Sequence, residues 1–151
     1  MSKSRSGYKP KKVLFVCVHN SARSQMAEAF LNALATDCFE AHSAGIEPGT
    51  LNPMVVRAMQ EAGIDISRNK TKSVQRFLDE GRQFDYIITV CDEASAERCP
   101  VFPGKGQRVH MGFADPSSFR GSERERLRMT IAVRDQIKAK IKQWIKENSE
   151  D

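Results

Sequence analysis

Residues 13–30 read VLFVCVHNSARSQMAEAF and combine an apolar run, a polar loop and a helical pattern of apolar residues. The first four residues, Val13 to Val16, form a continuous apolar run of the kind that is buried on both faces of a parallel sheet. A polar loop follows. Beyond the loop, apolar residues recur at helical spacing on one face of a predicted helix: Met26, Ala27, Phe30, Leu31 and Leu34. The stretch therefore predicts a buried strand, a loop and an amphipathic helix in direct succession.

The same alternation of strand and helix continues along the chain. Further strands are predicted at Phe39 to Ser43, at Tyr86 to Val90 and, more weakly, at Val109 to Met111. Further helices are predicted from Pro53 to a stop at Gly63 with Asn52 as N-cap, at residues 73–80, and from about residue 122 to residue 148. Strands that alternate with helices predict an α/β fold with a parallel sheet, whose carboxyl ends share one ligand-binding edge.

Composition and charge exclude several classes of function. The 151 residues carry a net charge of +5, but acidic residues interleave with much of the excess and no aromatic residues alternate with the basic ones. Nucleic-acid binding is therefore not expected, and a basic surface that attracts anions is the simpler interpretation. No apolar run approaches the roughly 20 residues of a membrane span, and no signal peptide is recognisable. We expect a cytoplasmic monomer with a disordered basic tail at residues 1–11 and a single domain at residues 12–149.

Four cysteines are candidates for working thiols. In a reducing compartment, unbridged cysteines are buried filler, metal ligands or reactive groups. The chain has no CxxC pair and its three histidines are scattered, so zinc is not expected. Cys17 follows the first predicted strand, Cys91 the third and Asp115 the fourth, so a parallel sheet would bring all three to one edge. Cys38 has no evident partner and is interpreted as filler.

Residues 17–24, CVHNSARS, place a cysteine, five residues, an arginine and a hydroxyl residue between a strand and a helix. Backbone N–H groups and the dipole at a helix start favour an anion there, and the Arg23 guanidinium can bind two of its oxygens. The same positive field favours a nucleophilic thiolate at Cys17, and Ser24 can donate a hydrogen bond to it. The predicted oxyanion-binding residues are Val18, His19, Asn20, Ser21, Ala22 and Arg23. The alternative is a buried cysteine that merely ends a strand.

Residues 13–30 resemble the signature of the low-molecular-weight tyrosine phosphatase fold and of the arsenate reductases built on it. The resemblance continues through residues 43–45 (SAG), 52–53 (NP), 63–67 (GIDIS) and 113–116 (FADP), and covers most of residues 12–145. It implies a four-stranded parallel sheet flanked by helices, with an oxyanion-binding loop after strand 1. It also implies that Asp115 is the acid or base that handles the proton of the oxyanion or leaving group. An Asp-Pro pair is also simply a good turn former.

The two branches of this family differ in their need for further thiols. Residues 91–100, CDEASAERCP, resemble the redox segment of the thioredoxin-coupled arsenate reductases, although seven residues rather than six separate Cys91 from Cys99. The implied relay passes from Cys17 to Cys91 to Cys99 and then to an external dithiol such as thioredoxin, the expected partner. Thioredoxin, glutaredoxin and mycothiol systems all remain open as the reductant. The alternatives are a tyrosine phosphatase that uses Cys17, Arg23 and Asp115, and a phosphate-binding module without turnover.

Some of these reductases bind potassium near the loop. Asn20, Glu28, Ser43 and Thr71 occupy positions that resemble that site. The neighbouring Lys72 brings a positive charge where a carboxylate would be needed, so a bound cation is not expected. We therefore predict no tightly bound cofactor, with arsenate as the substrate and phosphate or sulfate as its mimics.

Overall fold

Strands and helices alternate through residues 9–149, the part of the chain that the structure, a computed structural model, describes. The strands are β1 (Lys11–Cys17), β2 (Phe39–Gly45), β3 (Tyr86–Thr89) and β4 (Gln107–His110). The helices are α1 (Arg23–Ala35), α2 (Pro53–Glu61), α3 (Val74–Asp79), α4 (Glu93–Ala96) and α5 (Glu123–Asn148), and a 3-10 turn spans Pro116–Ser118. The four strands form one parallel sheet in the order β2-β1-β3-β4. The predicted fold class is confirmed.

The central position of β1 determines where the site lies. β1 pairs with β2 along one side, from Lys11 opposite Phe39 to Cys17 opposite Gly45, and with β3 along the other side. After β1, the chain therefore adds β2 on one side of this strand and then β3 on its other side. In open parallel sheets, ligands bind outside the carboxyl ends of the strands where the strand order reverses in this way. The carboxyl end of β1, at Cys17, lies at that point.

β1 separates two apolar clusters because its side chains alternate between the faces of the sheet. Val13, Phe15 and Cys17 belong to a cluster that includes residues of α1, α2 and α5. Leu14 and Val16 belong to a second cluster, on the face that α3 covers. Burial on both faces explains why the strand reads as a continuous apolar run rather than as an alternating pattern.

Helix α5 covers the first of these clusters along most of its 26 residues. It begins with a capping box, in which the Ser122 hydroxyl accepts from the Glu125 N–H and the Glu125 carboxylate accepts from the Ser122 N–H. Near its end, the ring of Trp144 packs on Phe39 of β2 and edge-on against Tyr86 of β3. The helix is amphipathic, and within residues 9–149 no helix is long and apolar enough to cross a membrane.

The structure differs from the predicted elements in a few places. β4 begins two residues earlier than expected, because its register follows β3 and an exposed edge strand tolerates polar residues. Leu34, expected on the buried face of α1, is 43% exposed. It lies in the last turn of the helix, beyond Leu31, the last buried residue of α1. The predicted tail falls outside the described residues up to residue 8, and its last residue, Lys11, begins β1.

Replacing Ile137 with alanine should destabilise the protein because this α5 side chain is fully buried in the first cluster. The expected loss in the free energy of unfolding is about 2–5 kcal/mol, from lost burial and the cavity left behind. Chemical denaturation measures it. Lys140→Ala, at an exposed position of the same helix, should change the free energy by less than about 0.5 kcal/mol. Equal effects of the two substitutions would contradict this account of the core.

Candidate active site

The loop between β1 and α1 is held in a tight curve around the Cys17 sulfur. Asn20 adopts a left-handed backbone conformation, with φ 55°, and its N–H donates to the Cys17 Sγ at 3.2 Å. Gly45, at the end of β2, lies directly against the loop. A Cβ atom added at Gly45 would stand 2.8 Å from backbone atoms of Val18, His19 and Asn20. The shape of the loop therefore requires a residue without a side chain at this position.

A chain of hydrogen bonds reaches the sulfur from the first turn of α1. The Oγ of Ser24 lies 2.9 Å from the Cys17 Sγ. It accepts a hydrogen bond from the side-chain amide nitrogen (Nδ2) of Asn20 at 2.8 Å. Because the Ser24 oxygen already accepts from Asn20, its own proton can be donated to the sulfur. Hydrogen bonds of this kind stabilise negative charge on sulfur. The predicted pairing of Cys17 with Ser24 is thus present in the geometry.

Arg23 and Asp115 lie together beside this loop. Arg23 is buried, and its Nη1 donates to the Phe113 carbonyl at 3.2 Å while its Nη2 lies 3.7 Å from the Asp115 Oδ2. The Asp115 Oδ1 accepts from the Ser117 N–H, which fixes the carboxylate at the start of the 3-10 turn. The Arg23 Nε is buried and, among the hydrogen bonds of residues 9–149, has no partner. The guanidinium thus retains a donor for a further acceptor.

The side chain of Asn20 connects the loop to a more distant segment. Its Oδ1 accepts from the Gln25 amide at 3.1 Å and from the Lys72 backbone N–H at 2.9 Å. Sequence reasoning expected Asn20 in the loop but missed Gln25, which is fully buried. The available signal in the sequence was the polar amide of Gln25 next to the apolar residues of α1. The sequence does not indicate which group this amide binds.

Glu28 and Ser43, two of the residues at positions that resemble a potassium site, lie beside the ammonium group of Lys72. Its Nζ lies 3.7 Å from the Glu28 Oε1 and 3.5 Å from the Ser43 Oγ, and Ser43 donates to Glu28. Thr71 is not in this group, since its hydroxyl donates to the Gly49 carbonyl at 2.7 Å. Within residues 9–149, no group of three or more histidine, cysteine and acidic side chains could hold a metal ion.

The four cysteines are unpaired and lie in different environments. Cys17 and Cys91 belong to the same apolar cluster, whereas Cys99 is buried in the cluster on the opposite face of the sheet. Burial raises the pKa of the Cys91 thiol, and the nearby charge of Arg23 opposes that rise. Burial likewise raises the pKa of the Cys99 thiol. Cys38 is half-buried at the edge of the first cluster, and its backbone hydrogen bonds join it to Lys11 and Ala35, neither of which is a predicted site residue.

Two arginines hold the segment from Cys91 to Pro100 in place. Arg108 of β4 donates to the backbone carbonyls of Cys99 and Pro100 at 3.3 Å and of Ala96 at 3.4 Å. The positive charge of Arg108 also opposes the rise in the Cys99 pKa. Within the segment, Arg98 forms an ion pair with Glu47.

The imidazole of His19 turns towards the loop that follows β2. Its Nδ1 lies 2.7 Å from the Glu47 carbonyl oxygen, and the side chain is exposed. His19 therefore belongs to the oxyanion loop by its backbone, and its ring is engaged elsewhere.

The residues predicted for the site meet at the carboxyl edge of the sheet, with the exception of Cys99. A cysteine sulfur with hydrogen-bond donors around it, a buried arginine and a carboxylate can together bind a tetrahedral oxyanion and attack it. These parts define a class of thiol enzymes on an α/β fold. The family model described as low molecular weight phosphotyrosine protein phosphatase matches residues 12–151. The chain belongs to this family, and the predicted resemblance is confirmed.

Similar proteins within the family are arsenate reductases. The arsenate reductase of Shouchella clausii is 41% identical over 132 residues, which make up 87% of this chain and 93% of that one. A solved structure of an arsenate reductase in the phosphate binding state is 28% identical, with a TM-score of 0.71, and the match covers 92% of this chain and 99% of that one. The thioredoxin-dependent arsenate reductase of Corynebacterium glutamicum is 28% identical with a TM-score of 0.61, over 90% of this chain and 64% of that one. The chain groups with the thiol-dependent arsenate reductases.

Gly45→Ala should weaken anion binding because the new methyl group would collide with the backbone of the oxyanion loop. We expect the phosphate concentration that halves the alkylation rate of Cys17 by iodoacetamide to rise by at least about tenfold, the scale of a misplaced binding group. Gly49→Ala is the control, because a Cβ there meets nothing closer than 3.4 Å. If both variants are protected by phosphate as the unsubstituted protein is, the close approach of Gly45 does not shape the loop.

Cys91 and Cys99 should react with iodoacetamide more slowly than Cys38 at neutral pH. Their raised pKa values keep both thiols protonated, and the thiolate is the reactive form. The alkylation rates of both should keep rising as the pH passes the ordinary thiol value of about 8.5. Mass spectrometry of the three cysteine-containing peptides follows each site separately. Rates for Cys91 and Cys99 that already level off below that pH would contradict the assignment.

Proposed function

We propose that the protein reduces arsenate to arsenite by a relay of three thiols, Cys17, Cys91 and Cys99, with electrons from thioredoxin or a similar dithiol. The observation that carries this proposal is the position of Cys91, in the same apolar cluster as Cys17 and near enough that the charges of Cys17 and Arg23 act on its thiol. A phosphatase has no use for a second thiol there. The thioredoxin-dependent relative supports the choice of reductant, and four unpaired cysteines suit the cytoplasm.

Binding of arsenate would use the donors that converge on the loop. Backbone N–H groups of residues 18–23 and the positive end of α1 favour a tetrahedral oxyanion above the Cys17 sulfur. The Arg23 Nε, buried and without a partner, would find its acceptor in an oxyanion oxygen. The similar reductase in the phosphate binding state supports this use of the loop. Phosphate and sulfate would bind in the same way as mimics.

The first chemical step would form a bond between sulfur and arsenic. The Cys17 thiolate attacks the arsenic of bound arsenate, and an arsenate oxygen leaves as water. Asp115, held beside Arg23, is placed to supply a proton to that oxygen. Arsenic remains pentavalent in this adduct, so no electrons have yet been transferred.

The electrons would move in the second step. The Cys91 thiol gives its proton to an oxygen of the arsenic group as its sulfur attacks the Cys17 sulfur. A Cys17–Cys91 disulfide forms, and the electron pair of the broken sulfur–arsenic bond stays on arsenic. Arsenic leaves as trivalent arsenite. Cys99 then loses its proton to solvent and attacks Cys91, which releases Cys17 as a thiolate and leaves a Cys91–Cys99 disulfide. An external dithiol reduces this disulfide with two electrons and restores the starting state.

This sequence requires the segment from Cys91 to Cys99 to move. Cys99 lies in the cluster on the opposite face of the sheet and would have to leave it to reach Cys91. The intervening helix α4 has only four residues. A helix this short has little stability of its own in water, so it can unfold and refold around a disulfide. The extra residue between the two cysteines gives the segment additional length.

The second candidate is a low-molecular-weight protein tyrosine phosphatase. Cys17, Arg23 and Asp115 would serve it equally well, because Asp115 could protonate a leaving phenol oxygen after sulfur attacks phosphorus. Membership of the family makes this activity chemically available. It differs from the first proposal in making no use of Cys91 or Cys99.

Single substitutions of the cysteines test the relay. With arsenate, NADPH, thioredoxin and thioredoxin reductase, we expect turnover by the unsubstituted protein and none by Cys17→Ser, Cys91→Ser or Cys99→Ser. Cys99→Ser should release one arsenite per molecule and accumulate the Cys17–Cys91 disulfide, because the third thiol is missing. Consumption of NADPH and mass spectrometry of the disulfides measure these outcomes.

Cys38→Ser is the matched control and should turn over normally, since Cys38 has no step in the relay. Hydrolysis of p-nitrophenyl phosphate is assayed with the same set of variants. An unsubstituted protein that hydrolyses this ester without reducing arsenate, together with Cys91→Ser and Cys99→Ser variants that hydrolyse it equally, would establish the phosphatase and refute the reductase.

A further inference from the structure

A partly buried ammonium group lies between α1 and the end of β2. The Lys72 Nζ is 3.7 Å from the Glu28 Oε1, 3.5 Å from the Ser43 Oγ and 3.2 Å from the Lys70 carbonyl oxygen. The side chains of Lys72 and Glu28 are only 23% and 21% exposed, and Ser43 is fully buried. The ammonium thus faces three oxygen atoms and balances one carboxylate charge away from most of the solvent.

The backbone of the same residue contacts the active-site loop. The Lys72 N–H donates to the Asn20 Oδ1 at 2.9 Å, and the Lys72 carbonyl accepts from the Gly45 N–H at 2.8 Å. Asn20 in turn donates to Ser24, whose hydroxyl touches the Cys17 sulfur. A continuous series of hydrogen bonds therefore runs from the Lys72 backbone to the nucleophile.

We propose that Lys72 is a positioning residue for the oxyanion loop: its ammonium group, held by Glu28 and Ser43, fixes the backbone N–H that orients Asn20. The proposal rests on the anion-binding part of the proposed function and is independent of the thiol relay. The physical reason is the cost of an uncompensated charge. The Glu28 carboxylate is largely removed from water, so loss of its cation would leave it unpaired and disturb the packing that holds the Lys72 backbone.

Charge balance has a further consequence for dissolved cations. Because the compensating charge is covalently attached, the loop has no need of an alkali-metal ion to hold its shape. Removal of the ammonium would leave a carboxylate, a hydroxyl and a carbonyl oxygen facing one space, and hard monovalent cations prefer oxygen ligands of this kind. A variant without the lysine side chain should therefore respond to potassium, whereas the unsubstituted protein should not.

The experiment measures the phosphate concentration that halves the alkylation rate of Cys17, in potassium buffer and in N-methylglucamine buffer of equal ionic strength. Unsubstituted protein should give the same value in both. Lys72→Ala should need about tenfold more phosphate in N-methylglucamine, the scale of effects from residues that do not touch the ligand, and should recover part of the loss in potassium. Lys72→Arg, which keeps the charge, should lose less affinity than Lys72→Ala in N-methylglucamine.

Lys70→Ala is the matched control, because it removes the same charge from an exposed side chain nearby and should shift the value by less than about twofold. The proposal is overturned if Lys72→Ala behaves like Lys70→Ala, if Lys72→Arg is as weak as Lys72→Ala, or if potassium restores nothing. If phosphate does not slow the alkylation of Cys17 in the unsubstituted protein, this proposal and the anion-binding function are both overturned. Normal protection of the unsubstituted protein with no effect in Lys72→Ala would overturn only the role of Lys72.

Discussion

The hydrogen bonds of the buried Asn20 side chain hold the active-site loop in place. This side chain donates to Ser24 and accepts from Gln25 and from the Lys72 backbone, while the Asn20 N–H reaches the Cys17 sulfur. A buried polar network in which every group is paired is rigid, because any movement leaves a donor or acceptor unsatisfied. The left-handed backbone of Asn20 persists for the same reason. The loop is thus held in position before any anion binds.

The surroundings of the three relay thiols differ in a way that suits the proposed order of events. Hydrogen-bond donors surround the Cys17 sulfur, whereas burial raises the pKa of the Cys91 and Cys99 thiols and keeps them protonated. The sheet also separates Cys99 from the other two. Cys99, which is protonated and lies on the opposite face of the sheet, cannot form a disulfide at an earlier step of the relay. In the proposed mechanism, the environment and not the sequence order decides which thiol reacts first.

Local patterns and topology predicted much of this arrangement from the sequence. The loop was predictable because Cys17 and Arg23 lie between an apolar run and an amphipathic helix, and the meeting of Cys91 with Asp115 at one edge follows once the strands are parallel. Contacts between distant segments were not predictable. The sheet face that buries Cys99 depends on how residues 92–100 fold back. The pairing of Lys72 with Glu28 depends on packing between residues that are 44 positions apart in the chain. From the sequence alone, Lys72 is only a positive charge that disfavours a bound cation.

In the proposed relay, the cost of opening residues 91–100 depends on apolar burial more than on the ion pair of that segment. The Arg98–Glu47 pair is about half exposed, and exposed pairs contribute about 0–1 kcal/mol. Phe102, just beyond the segment, is almost fully buried beside Cys99, and exposing such a ring costs about 1.5–3 kcal/mol. Opening would also break the three hydrogen bonds that Arg108 donates to backbone carbonyls of the segment, each worth about 0.5–1.5 kcal/mol, so the closed state is favoured in the reduced protein. In the proposed relay, a Cys91–Cys99 disulfide would hold the segment in a different shape and would offset part of this cost.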